Sequence, residues 1–217
     1  MCNLYSVTKG QQAIRDLYRV MRDRTGNLPP LPGIFPDYAA PIIRNGPDGR
    51  ELAMARWGMP SPVFALQGKK TDPGVTNVRN TKSPHWRRWL GVECRCLVPF
   101  TSFAEHEVLP DGRRPPVWFA LDESRPLACF AGIWTRWTAV RKLREGEITC
   151  DVFAFLTTDP NAEVAAIHPK AMPVILTTPA ACDTWMAAPP AIALTLQMKL
   201  PDGALLVVAR GEKQDGL

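Results

Sequence analysis

Cys2 carries the most distinctive chemistry of the chain because of its position. A small residue after an initiator methionine normally lets an aminopeptidase remove that methionine. The mature chain would then begin with cysteine and carry an α-amine and a thiol on one residue. Their ordinary pKa values lie near ~8 and ~8.5, so some neutral amine is available at neutral pH. The structural alternative is that Cys2 only begins a strand as a small apolar residue. Glu105 follows Phe100-Thr101-Ser102-Phe103-Ala104. A carboxyl among aromatics is desolvated and its pKa rises, which suits a proton shuttle; the alternative is a surface glutamate beside Glu107. His168 stands in Ile167-His168-Pro169 at a helix-to-strand junction. Such loops often carry function, and histidine moves protons near neutrality; a structural or exposed histidine is the competing reading.

Asn77 and Arg79 alternate in Thr76-Asn77-Val78-Arg79 and would share one face of an extended segment. Asn77 could hold a polar intermediate and Arg79 a phosphate, unless both belong to an ordinary polar strand face. Trp57 precedes a proline-rich loop, where an exposed indole could stack on a nucleobase with Arg56 nearby for phosphates. His85-Trp86-Arg87-Arg88-Trp89-Leu90 has an aromatic and basic composition. However, Trp86, Trp89 and Leu90 fall at helical spacing, which favours a core-facing stripe with Arg87 and Arg88 as its solvated side.

Six cysteines are present, at positions 2, 94, 96, 129, 150 and 182. With no apolar signal-peptide core at the N-terminus, a reduced cytoplasmic set is expected rather than a disulfide framework. Cys94-x-Cys96 would place two thiols on one strand face. A zinc site needs further ligands, the chain has only His85, His106 and His168 as histidines, and no metal or other cofactor is expected.

The elements that must position these residues are short. Residues 2–7 read as a strand. Thr8 and Gln11 fit a capping box before a helix containing Ile14, Leu17, Tyr18 and Met21. Pro41–Arg44 and Glu51–Trp57 flank a Gly/Pro/Asp turn and read as a hairpin. Ser83-Pro84 starts a short helix to about Leu90. Strands are expected near 94–99, 117–121, 128–134, 149–156, 172–176 and 204–208. A helical turn begins at Asp159-Pro160, and a helix spans 178–186. With 22 prolines in 217 residues and no βαβ alternation, the pattern predicts one α+β domain. Its strands should be mostly antiparallel or barrel-like, with few helices. The domain is expected over 1–211, with 212–217 a loose tail. Hydrophobic residues at 46% and charged residues at 22% allow a proper core and exclude a disordered chain. No apolar run reaches the roughly 20 residues of a membrane helix. A net charge of +5 permits a polyanionic partner without requiring one.

In order along the chain these pieces resemble the SOS response-associated peptidase family. They are Met1-Cys2-Asn3-Leu4-Tyr5, Trp57-Gly58-Met59-Pro60, Asn77-Val78-Arg79, Arg95-Cys96-Leu97-Val98-Pro99 leading to Glu105, and His168 before Pro173-Val174-Ile175-Leu176. The likeness runs from Cys2 to about Met186. It implies a single α+β domain of curved, mostly antiparallel, barrel-like sheet with peripheral helices and a cleft for single-stranded DNA. It also implies covalent capture of abasic sites: the amine of mature Cys2 attacks the ring-opened aldehyde, and its thiol closes a thiazolidine. Under that resemblance Glu105 handles protons, Asn77 holds the N-terminal residue or the sugar, and His168 favours the open aldehyde. Arg79 binds a flanking phosphate, Trp57 helps define the DNA path, and Lys170 replaces a phosphate-binding arginine. The chain departs from the family pattern at Asn3-Leu4, Asn80-Thr81, His106 and His168-Pro169-Lys170-Ala171-Met172. Two other readings remain open: a thiol peptidase with Cys2 as nucleophile and His168 as base, and a non-covalent single-stranded DNA-binding module. The expected protein is a cytoplasmic monomer that joins the nucleoid when bound to DNA and has no membrane partner.

Overall fold

Short, proline-bounded segments, several of them buried along their whole length, produce a sheet-dominated molecule. The computed structural model describes residues 2–216. In chain order its strands and helices are β1 (Leu4–Val7), α1 (Gln11–Leu17), β2 (Val20–Asp23), β3 (Leu31–Ile34), β4 (Ala39–Gly46), β5 (Gly49–Trp57), β6 (Asn77–Val78), α2 (Pro84–Arg87), β7 (Arg95–Phe100), β8 (Ser102–His106), β9 (Pro116–Ala120), β10 (Ala128–Val140), β11 (Glu147–Thr158), α3 (Ala162–Ala165), β12 (Met172–Pro173), β13 (Ile175–Leu176), α4 (Pro179–Ala187), α5 (Pro190–Ala193) and β14 (Leu206–Arg210).

Strands β11, β10, β7, β4 and β5 pair in that order, and β5 returns to β11 in parallel through Val152–Arg56 and Phe153–Trp57. The result is a closed five-stranded barrel. Its other four pairings are antiparallel. A second sheet, in the order β14-β9-β8-β1-β3, lies beside it. Successive side chains of β1 point to opposite faces, as a strand requires. Tyr5 therefore enters the main core, while Leu4 joins Ala104 and Trp118 in a small separate cluster. Aromatic rings fill the main core. Phe100 stacks on Phe130 at 4.0 Å, and Tyr5 meets Trp57 edge-on at 5.1 Å. The α+β, barrel-like expectation with peripheral helices is met.

Several local expectations are revised. Gly10, not Thr8, caps α1, and no side chain caps it. Gln11 instead reaches Asp23 at 2.6 Å and Thr25 at 3.0 Å. The helix stops at Leu17 because Arg19 adopts a left-handed φ of 53°, a common helix-ending conformation. Met21 thus lies on β2 with its side chain in solvent. The helix at Pro84 is one turn, ending at Arg87. Its Trp86, Trp89 and Leu90 are buried and Arg87 and Arg88 exposed, as the helical spacing predicts. Cys94 ends a 3-10 turn before β7, so the two thiols of Cys94 and Cys96 do not share a strand.

The segment 172–176 is split at Val174 because its halves pair with different strands. β12 joins β11, and β13 joins β10. The C-terminal residues to Gly216 are not loose. Asp215 is buried and accepts bonds from Ser102 at 2.5 Å and Arg125 at 2.8 Å. The Trp118 indole donates to the Glu212 carbonyl at 2.8 Å. The expected removal of Met1, and the end of the expected tail at Leu217, fall on residues outside those described.

Candidate active site

Strands β1 and β8 run antiparallel with Leu4 opposite Ala104. Carried back two residues, that register sets Cys2 at the Glu105–His106 end of β8. Cys2 is 1% exposed, and its Sγ donates to the Leu4 carbonyl at 3.5 Å. Glu105 is 2% exposed. Strand β6 pairs in parallel with β11 through Asn77–Phe155 and brings Asn77 to the same place. Asn77 Nδ2 donates to the Cys2 carbonyl at 2.9 Å and to Thr76 Oγ1 at 2.8 Å. Thr76 Oγ1 in turn donates to Asn3 Oδ1 at 3.1 Å. Two neighbouring residues thus fasten the start of the chain.

His168 lies just past α3, with its backbone N–H bonded to the Val164 carbonyl at 2.7 Å. Its Nδ1 is 3.6 Å from Glu105 Oε2 and 3.2 Å from the Ala171 carbonyl. Glu105 and His168 open into a pocket of about 390 Å³ that His106, Arg114, Ile167 and Lys170 also line.

Burial sets the protonation of this group. It pushes the Glu105 carboxyl up to about 7. It also pushes the Cys2 thiol well above its ordinary value, and the adjacent Glu105 charge adds to that shift. The His168 imidazole is pulled down, first by desolvation. At neutral pH the site therefore holds a neutral thiol, a neutral imidazole and a carboxyl able to give or take a proton.

Cys2, Asn77, Glu105 and His168 are brought together as the sequence suggests, and Lys170 lines the pocket. Arg79 reaches the Lys170 carbonyl at 3.5 Å, but its guanidinium also holds Asp159 at 2.5 Å. A phosphate would have to displace that carboxylate. Two expectations are corrected. Trp57 is 1% exposed, stacks on Phe155 at 5.2 Å and donates to the Thr76 carbonyl at 3.0 Å. No base can stack on it; it acts one step back, fixing the segment that carries Asn77. Arg56 is neutralised by Asp37 at 2.5 Å and Glu145 at 3.0 Å and does not line the pocket, so its phosphate role is withdrawn.

Sequence reasoning missed Thr76, whose hydroxyl bridges Asn77 to Asn3, because a threonine beside the candidate asparagine carries no signal of its own. It also missed Arg114, which stands in a Gly/Pro-rich turn. In the loop after Trp57 the solvent-facing apolar residues are Val63 and Phe64. Among the described residues no group of three or more His, Cys, Asp or Glu side chains could hold a metal ion. No helix among them is long and apolar enough to cross a membrane.

A barrel closed by one parallel pairing, with a cysteine at position 2, an asparagine, a glutamate and a histidine gathered at one strand end, defines the class. The family model described as SOS response associated peptidase (SRAP) matches residues 1–207. The chain belongs to that family, which associates it with the response to DNA damage and with a domain named as a peptidase. A protein from Bordetella bronchiseptica superposes with a TM-score of 0.69 at 22% identity, covering 94% of this chain and 97% of its own. A protein from Bacteroides thetaiotaomicron gives 0.67 at 20% identity, covering 94% and 90%. A phage-related protein from Bordetella bronchiseptica gives 0.67 at 22%, covering 94% and 92%. At these identities the likeness establishes the fold. No curated protein matches the chain.

Proposed function

We propose that this protein captures ring-opened abasic sugars in single-stranded DNA through a thiazolidine on Cys2, shielding the lesion during the damage response. The observation that supports it most is the placement of Cys2, held by Asn77, against a buried carboxyl poised near neutral pH. Once Met1 is removed, the Cys2 nitrogen is a free amine. It attacks the sugar aldehyde carbon to give a carbinolamine. Loss of water forms an imine, and the thiol adds to the same carbon, its proton passing to the nitrogen. The net change is one water lost. Glu105 accepts and returns protons through these steps, as a group with a pKa near the working pH does best. Asn77 Oδ1 has no hydrogen-bond partner among the described residues and suits the hydroxyl of the carbinolamine. His168, neutral and beside Glu105, assists ring opening of the sugar. The working place is the nucleoid, the partner is abasic single-stranded DNA, and the protein acts as a monomer.

A thiol peptidase fits less well. Hydrolysis needs a thiolate, whereas burial holds this thiol protonated. Cys2 Sγ bonds to Leu4, while His168 Nδ1 faces Glu105 and Ala171. The deciding experiment incubates protein beginning at Cys2 with single-stranded DNA carrying one abasic site and weighs the product under denaturing conditions. The expected species has the mass of protein plus DNA minus one water, and it is absent for Cys2→Ser and for protein retaining Met1. No adduct from protein that begins at Cys2 discards the reading.

A further inference from the structure

Most arginines near structured surfaces here have carboxylate partners. Arg44, Arg50, Arg56, Arg79, Arg125 and Arg210 each approach one within 3.1 Å. Arg114 and Lys170 differ. Among the described residues neither side chain has an ion-pair partner or a hydrogen-bond acceptor, and both line the pocket over Glu105 and His168. His106 lines it too. These groups crowd one another. Burial pulls the His106 imidazole down and the Arg114 charge pulls it further; Lys170 and His106 act on His168 in the same direction. Glu105, the carboxyl among the lining residues, is near half-protonated at neutral pH. Two cations, Arg114 and Lys170, in a concave site whose carboxyl is only partly ionised mark a place for an anion. The remaining walls are apolar, from Val108, Ile167 and Pro169. They suit the carbons of a sugar rather than a small free ion.

We propose that Arg114 and His106, with Lys170, seat one backbone phosphate of the bound strand beside the reacting sugar. The three come from separate segments: the end of β8, the turn between β8 and β9, and the loop after α3. A guanidinium can grip a phosphodiester through two parallel hydrogen bonds, which fixes the sugar's orientation as well as its affinity. The inference rests on the capture reading for the identity of the strand and adds to it the residues that set its register.

The test uses Cys2→Ser protein and labelled intact single-stranded DNA, with fluorescence anisotropy read from 50 to ~200 mM salt. Removing one phosphate contact should weaken binding about five- to tenfold at low salt and lower the log–log salt slope by about 0.7. Arg114→Ala should show this, His106→Gln a smaller loss, and Arg114→Lys should keep most of the slope. In a second series on single-stranded DNA carrying one abasic residue, a neutral methylphosphonate beside that residue should abolish the difference between Arg114→Ala and the parent. Arg114 is exposed and has no ion-pair partner among the described residues, so thermal melting should report an unchanged fold. Parental affinity and slope in both Arg114→Ala and His106→Gln would overturn the seat. The capture reading falls separately, if wild-type protein makes no adduct; the anisotropy series still decides the seat.

Discussion

The side-chain amide of Asn77 donates to the backbone carbonyl of Cys2 at 2.9 Å, joining residues 75 positions apart. The second amide hydrogen goes to Thr76 Oγ1. Replacing Asn77 by alanine leaves a buried carbonyl without its donor, at a local cost of about 1–3 kcal/mol. That much loss of positioning should slow adduct formation by about 10- to 100-fold in a single-turnover time course, with Glu105 and the thiol intact. A wild-type rate in Asn77→Ala would remove this amide from the chemistry.

Glu105 should leave its mark on both stability and rate. Burial raises its carboxyl from 4.5 to about 7 in the folded protein. Between those values the folded chain holds more protons than the unfolded chain, so stability falls as pH rises from about 4.5 to about 7. Glu105→Gln lacks that loss. It should gain on wild type by up to about 3 kcal/mol between pH 5 and 8 in denaturant melts. Its capture rate should fall by about 100-fold and lose its inflection near neutrality. Melting midpoints of the two proteins that run parallel across this range would place Glu105 at an ordinary pKa.

Much of this site was legible because chemistry and address coincide. Cys2 at the second position, a glutamate after an aromatic run and a histidine at a helix–strand junction each carry a local signal. The strand pattern also announced a mostly antiparallel, barrel-like fold. Closure of the barrel did not show, because the parallel pairing of β5 with β11 joins segments about a hundred residues apart. Trp57 was misread for the same reason. A tryptophan before a proline-rich loop looks exposed until Tyr5, Phe153 and Phe155 arrive from distant strands. Arg56 likewise looked available until Asp37 and Glu145 folded onto it.

The corrected role of Trp57 has its own consequence. Trp57→Phe keeps an aromatic ring in the core but loses the bond to Thr76 and part of the packing. It should cost about 1–3 kcal/mol in a denaturant melt. Affinity for intact single-stranded DNA should stay at the wild-type level, since the indole is enclosed. Weakened DNA binding by a variant that melts as a folded protein would put the ring back on the DNA path.

Asp215 holds the end of the chain against the sheet that carries the site. Burial alone would raise its carboxyl. Hydrogen bonds from Arg125 and Ser102 outweigh burial and hold it below the ordinary range. Ser102 Oγ also meets Ser6 Oγ at 2.8 Å, so the carboxylate organises a polar junction between β1 and β8. A group with a depressed folded pKa stabilises the protein above its ordinary pKa, and that contribution is lost as pH falls through the folded value. Asp215→Asn should therefore destabilise by about 1–3 kcal/mol at pH 7, because it leaves the half-buried Arg125 guanidinium uncompensated. The gap to wild type should narrow as pH drops below about 4. The chemistry lies at the other end of β1 and β8, so the variant's capture rate at low temperature, where it stays folded, should remain within about threefold of wild type. Denaturant melts at pH 7 and 3.5 check the first part and adduct kinetics the second. Equal stability at pH 7 would show that the tail is not tied down in solution.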